Sequence, residues 1–224
     1  MVSKMTKLNS GDEMPIVGLG TWKSKPGEVV AAVKYALKIG YRHLDCAFVY
    51  GNENEVGQGI KEAMEELNIP RKDIWITSKL WSAFHHPEEI ENACKMSLKN
   101  LGLDYLDLYL MHWPTAFKRG EGNFPKNEDG TIKVRFYLEY WAFILSIDYN
   151  DINIYNDLYT FFEFLKKYDF DLHPTNTWME MEKLLHKGLV KNIGVSNFNS
   201  QQIQDVLDKG KVKRIYSLQL QFTK

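Results

Sequence analysis

Apolar and polar positions along this chain follow two rhythms that take turns. Lys7-Leu8-Asn9 and Met14-Pro15-Ile16 flank Ser10-Gly11-Asp12-Glu13, and Gly11 suits a tight turn, so the chain is expected to open with a hairpin. Val17–Trp22 reads as a short buried strand. Between Glu28 and Ile39, Val29, Val33, Ala36 and Leu37 recur at helical spacing, and Gly40 ends the run. Arg42–Asp45 is the next predicted strand. A helix follows from about Glu53 to Leu67 and stops before Pro70. A strand at Ile74–Ser78 leads to a helix that starts on Pro87, a good first-turn residue, and ends near Gly102. Leu106–Met111 is the fourth strand. After a long interruption the rhythm resumes with a helix at about Thr177–Lys187, stopped by Gly188, and a strand at Lys191–Val195. A last helix is capped by Asn199 or Ser200 and stopped by Gly210, and a sixth strand spans Ile215–Gln219.

Strands alternating with helices of this length form parallel βαβ units. Two architectures compete: a doubly wound open sheet and a (β/α)8 barrel. An open sheet collects its site at one switch point. Here every strand end carries a polar or aromatic candidate, as a barrel mouth requires. The first strand is followed by Gly18-Leu19-Gly20-Thr21-Trp22-Lys23, which lacks the third glycine of a dinucleotide-binding turn. The pattern therefore predicts an α/β chain of the TIM-barrel class, incomplete at about six of eight βα units, preceded by a hairpin. Residues 1–224 are expected to form one domain with an interruption at about 134–170.

The chain is long enough for one sizeable core. Its formal net charge of -1 gives no reason to expect nucleic acid or an anionic membrane as a partner. The first residues have no apolar h-region, and no stretch is long and apolar enough to span a bilayer. Cys46 and Cys94 are too few for a disulfide framework, which points to a reducing, cytoplasmic setting.

Four residues at or just after the ends of predicted elements carry the chemistry. They are Asp45 and Tyr50 in His43-Leu44-Asp45-Cys46-Ala47-Phe48-Val49-Tyr50-Gly51-Asn52-Glu53, Lys79 in Thr77-Ser78-Lys79-Leu80-Trp81, and His112 in Asp107-Leu108-Tyr109-Leu110-Met111-His112-Trp113-Pro114. Taken singly, an Asp–Lys pair is an ordinary salt bridge and a buried tyrosine simply packs. A carboxylate, a phenol, an ammonium and an imidazole at successive strand ends form an acid–base set. A nearby cation lowers a phenol's pKa, so Lys79 is expected to tune Tyr50 while Asp45 holds Lys79. His85 and His86, before Pro87, read as a helix-start turn; without a third ligand no metal is expected.

These motifs, together with Val17-Gly18-Leu19-Gly20-Thr21-Trp22 and Gly188-Leu189-Val190-Lys191-Asn192-Ile193-Gly194-Val195-Ser196-Asn197-Phe198, resemble the aldo-keto reductases over residues 5 to about 133 and 171 to about 221. The resemblance implies a (β/α)8 barrel, NADPH as cofactor, and reduction of a small-molecule aldehyde or ketone. Asp45, Tyr50, Lys79 and His112 would be the catalytic set, with Tyr50 as proton donor and His112 orienting the carbonyl or sharing the proton relay. A carbonyl reduced to an alcohol needs a hydride that no side chain supplies, hence the nicotinamide. Thr21, Asp45, Ser196, Asn197 and Gln219 match cofactor-binding positions. Trp22, Val49, Trp81, His112, Trp113 and Phe124 match positions lining the substrate pocket, although Trp81 and Phe124 suit core packing nearly as well.

Two departures from the family accompany this. The sequence stops at Lys224, just after the sixth strand, so an open barrel with two unpaired sheet edges is expected. The expectation is a monomer, with association open to it through those edges. Residues 134–170 match nothing in the family. They hold 13 of the chain's 30 Phe, Tyr and Trp residues, and no Gly or Pro. One reading is translated intron, since Val134-Arg135 can be encoded by a 5′ splice-site sequence. The other is a lid helix at Tyr137–Ile147. The rivals to a working reductase are an inactive truncated isoform and a non-catalytic binding or scaffold protein of the same fold.

Overall fold

The computed structural model describes residues 4–120, 122–124, 168–169, 171–211 and 216–218. Strands β1 (Met5–Lys7) and β2 (Glu13–Pro15) pair antiparallel as the expected hairpin. The Leu8 N–H donates to the Asp12 carbonyl, and Gly11 turns the chain at φ +97°. The alternation then runs β3 (Leu19–Gly20), α1 (Val29–Lys38), β4 (His43–Asp45), α2 (Glu53–Leu67), β5 (Trp75–Leu80), α3 (Pro87–Leu101) and β6 (Leu108–Met111). A two-stranded antiparallel pair, β7 (Ala116–Phe117) with β8 (Tyr168–Asp169), precedes α4 (Pro174–His186), β9 (Ile193–Ser196), α5 (Ser200–Lys209) and β10 (Tyr216–Leu218).

The main sheet has six parallel strands in the order β10-β9-β6-β5-β4-β3. Each strand lies beside its neighbour in the chain order of the main sheet, with no reversal. A doubly wound sheet needs a point where the order reverses, so this arrangement is the singly wound path of a barrel. β3 and β10 form its two edges among the described residues.

The buried strand expected at Val17–Trp22 is confined to Leu19–Gly20, with Val17 and Trp22 exposed, because it lies at the edge of the sheet. Two further element ends differ from the sequence reading. α4 begins at Pro174, three residues before the expected Thr177, because Pro174 occupies the first turn and the His173 ring accepts from the Thr175 N–H. β5 runs on to Leu80, so Lys79 lies inside its strand. At α5 the expected cap forms: Asn199 accepts from the Gln202 N–H while the Gln202 side chain accepts from the Asn199 N–H, a capping box.

Side chains two apart in a strand share a face, and this rule sorts β5. Ile76 and Leu80 join the helix-side core with Val33, Ile60, Leu98 and Trp178. Trp75 faces the other way and packs with Leu8, Leu108 and Leu110. Here the hairpin closes the entry end of the sheet. His43 Nδ1 hydrogen-bonds to the Pro15 carbonyl at 3.0 Å, and Asn192 donates to Asp12 at 2.8 Å. The exit ends of the strands lie on the opposite side. Among the described residues no helix is long and apolar enough to cross a membrane.

Tyr168 and Asp169 are the described residues of the 134–170 stretch. They pair with Phe117 and Ala116, and Asp169 lies 3.6 Å from His86. The lid helix expected at Tyr137–Ile147 lies outside the described residues.

Candidate active site

Asp45 ends β4, and a short 3-10 turn, Phe48–Tyr50, follows it. Gly51 closes that turn at φ +70°, a backbone state that suits glycine. This turn carries Tyr50 back toward β5. There Lys79, fully buried, donates to both carboxylate oxygens of Asp45 at 2.8 and 2.9 Å and to the Cys46 carbonyl at 2.9 Å. Its remaining reach ends on Tyr50 Oη at 3.2 Å. His112, just past the end of β6, presents its ring edge-to-face to Tyr50 at 5.8 Å between centroids. All four residues predicted from the sequence thus meet at the exit ends of three neighbouring strands.

The electrostatics differ from the sequence expectation at one point. Burial pushes the Tyr50 phenol up, and the Lys79 charge pulls it down by less, so the net direction is upward. Desolvation was missing from the sequence argument. The phenol is therefore firmly protonated near neutral pH. Burial disfavours the Lys79 charge, but Asp45 and Tyr50 together more than offset this and raise its pKa. Burial, then the Lys79 charge, drives His112 down to about 3, so its imidazole is neutral. Among the described residues its buried Nδ1 has no hydrogen-bond partner, which leaves Nε2 as the ring nitrogen for a substrate.

The aromatic residues gather beside this set. Trp81 and Phe117 are buried, with Phe48, Val49, Phe84, Trp113 and Phe124 packed around them. Trp81 lies 5.2 Å from the His112 ring and 5.5 Å from Phe124, and its indole N–H donates to the Asn123 carbonyl. Trp22 stands on the Tyr50 side, 55% exposed, with its ring 6.4 Å from the phenol. Phe48, Phe84 and Phe117 were not singled out in the sequence. The position of Phe48 two residues before Tyr50, in the same motif, was the available clue.

Ser196, the last residue of β9, is buried, and Asn197 follows it at φ +61°. The Asn197 amide donates to the His112 carbonyl at 2.9 Å and to Ser196 Oγ at 3.1 Å. That use of the amide leaves the Ser196 hydroxyl hydrogen and the Asn197 carbonyl oxygen for other partners, one donor and one acceptor side by side. This donor set fits a primary carboxamide such as that of a nicotinamide. Thr21 is placed differently. Its hydroxyl and N–H both donate to the Asp45 carbonyl at 3.1 Å, so within the chain it braces Asp45. Gln219 lies outside the described residues. Among the described residues no group of three or more metal-binding side chains occurs; His85 is buried at the turn before α3, and His86 is the residue preceding that helix.

The singly wound parallel sheet, the hairpin across its entry end and the Asp–Tyr–Lys–His cluster at its exit end define a chain of the barrel class. The sequence profile of the Aldo/keto reductase family matches residues 16–224. The chain is 46% identical over 214 residues to aldo-keto reductase family 1 member A1 of Rattus norvegicus, covering 95% of this chain and 55% of that protein. It is 45% identical over 214 residues to the protein of the same name from Homo sapiens, again with 95% and 55% coverage. Among solved structures, the aldose reductase of Schistosoma japonicum superposes with a TM-score of 0.77 at 44% identity, over 96% of this chain and 60% of that one. The chain belongs to the aldo/keto reductase family, whose fold is the (β/α)8 barrel. It spans a little over half the length of the curated relatives it matches.

Proposed function

We propose that this chain binds NADPH and reduces small hydrophobic aldehydes or ketones to alcohols, with Tyr50 as the proton donor. The observation that carries the reading is the 3.2 Å contact of Tyr50 Oη with a lysine whose other bonds are fixed by Asp45 and the Cys46 carbonyl. When bound, the nicotinamide supplies the hydride. A substrate carbonyl oxygen placed between Tyr50 and His112 meets a protonated phenol and a neutral imidazole. The imidazole, uncharged down to pH about 3, serves to orient the oxygen rather than to deliver a proton. As the oxygen gains charge, Tyr50 gives up its proton. The phenolate left behind is stabilised by the Lys79 ammonium, a charge already in place before the reaction. Asp45 keeps that ammonium from swinging away.

The wall of Trp81, Trp113, Phe117 and Phe124 favours an apolar or aromatic group next to the carbonyl. Ser196 and Asn197 are assigned to the carboxamide. The preference for NADPH over NADH follows the family. Cys46 and Cys94 are free thiols, both buried, which fits a cytoplasmic protein.

Thermal unfolding with and without NADPH tests cofactor binding. A ligand that binds only the folded state stabilises it by about 2.7 kcal/mol at a hundredfold excess over its dissociation constant. A cooperative transition raised by NADPH supports the reading. A transition indifferent to NADPH overturns it. NADPH binding without turnover would favour a non-catalytic member of the family.

A further inference from the structure

Behind the Lys79–Tyr50 contact lies a buried carboxylate that the proposed chemistry does not use. Glu53 is 2% exposed, in the first turn of α2, three residues after Tyr50. Its Oε1 accepts from the Ser78 hydroxyl at 2.7 Å, and its Oε2 accepts from the Asn100 amide of α3 at 3.3 Å. Ser78 immediately precedes Lys79, and because strand side chains alternate it points to the helix side while Lys79 points to the site. The two hydrogen bonds Glu53–Ser78 and Lys79–Tyr50 therefore join the same two segments, the Tyr50-to-Glu53 turn and β5, from opposite faces of the sheet.

We propose that Glu53 is a positioning residue which, through Ser78, clamps the Tyr50 turn onto β5 and so sets the reach between Tyr50 and Lys79. The proposal rests on the reductase reading for its consequence in turnover, but the clamp itself is a matter of geometry. A buried carboxylate is costly to keep, and burial does push Glu53 up while the Ser78 and Asn100 hydrogen bonds pull it back. A bond to α3 alone would serve helix packing. The bond to Ser78 is shorter and lands one residue from the catalytic lysine. The other end of the turn is fixed too: the Asn52 amide donates to the Thr21 carbonyl at 2.8 Å, and the Thr21 hydroxyl donates to the Asp45 carbonyl. With that end held, Glu53 restrains the other end of the turn that carries Tyr50 toward Lys79.

The test is the ionisation of Tyr50 itself, read by NMR of the full chain labelled at the tyrosine ring carbon that bears oxygen, with the Tyr50 signal assigned by its loss in Tyr50→Phe. Glu53→Leu and Ser78→Ala remove the same clamp, so each should raise the Tyr50 pKa by about one unit, since an opposite charge drawn back from contact loses its effect on the group. Each should also lower kcat about tenfold with KM held, as small misplacements of reacting groups do. The double variant should be no worse than either single one. Asn100→Ala, which loosens the tie to α3 and leaves the Ser78 bond, should lower the melting midpoint and leave the Tyr50 titration in place. Ser78→Ala removes a single hydroxyl and keeps the test decisive if Glu53→Leu does not fold. An unchanged Tyr50 titration in Ser78→Ala, or additive effects in the double variant, would overturn the proposal. If the unmodified chain lacks turnover, the reductase reading fails while the titration still decides the clamp.

Discussion

Lys79 Nζ lies 3.2 Å from Tyr50 Oη while both carboxylate oxygens of Asp45 hold it from the other side. The ammonium is thus a fixed charge, directed at the one group beside it that changes protonation in the proposed reaction. This arrangement gives distinct consequences for each of its members.

Tyr50→Phe deletes the proton donor and one hydroxyl. We expect kcat for aldehyde reduction to fall by about 10²- to 10⁴-fold, the range for loss of a general acid. NADPH binding, read by its effect on the unfolding midpoint, should persist.

Asp45→Asn removes the partner of a lysine that has no solvent exposure. Leaving a buried charge uncompensated costs about 3–5 kcal/mol. Urea unfolding should show that loss, together with a collapse of turnover. Lys79→Met, which removes the charge along with the need to pair it, should cost less stability and abolish turnover just as fully.

Acid should destabilise the fold through its buried histidines. His112 and His85 are both driven by burial to about 3 from an ordinary value of 6.5, and His43 is lowered by burial as well. A base whose folded pKa is depressed takes up its proton more readily when unfolded. The stability these rings contribute is complete above pH 6.5 and is lost as pH falls from there toward 3. Unfolding free energy measured across that window should decline, and His85→Phe should flatten the slope.

Gly57 sits where α2 crosses α3. A Cβ there would lie 2.4 Å from the Leu101 carbonyl oxygen, a backbone atom that cannot swing aside. Gly57→Ala should therefore destabilise by about 1–3 kcal/mol, the usual cost of overpacking, despite alanine's better helix propensity. Calorimetry of the variant checks this.

The barrel class and the four-residue cluster were legible in the sequence because each rests on a local signal. Regular alternation gave the elements, and each cluster member sits at or near a strand end, where topology fixes the direction it faces. Lys79 inside Trp75–Leu80 shows this well, since period-two alternation alone assigns it to the opposite face from Ser78. What escaped was everything that depends on depth or on distant partners. The upward shift of Tyr50 comes from desolvation, which a list of neighbouring charges does not contain. The Glu53–Ser78 bond joins residues 25 positions apart, and in sequence Glu53 looks like an ordinary first-turn acid of α2. The hydrogen bond from the Thr21 hydroxyl to the Asp45 carbonyl likewise joins residues distant in the chain. The start of α4 lies at Pro174, before the apolar rhythm begins, because a proline suits the first turn of a helix.

The most direct measurement is NADPH oxidation on addition of a hydrophobic aldehyde, followed by absorbance for the unmodified chain and for Tyr50→Phe at matched protein concentration. The account predicts aldehyde-dependent loss of NADPH that Tyr50→Phe lowers by about a hundredfold or more. No aldehyde-dependent loss in the unmodified chain, or equal rates in the two proteins, would contradict it.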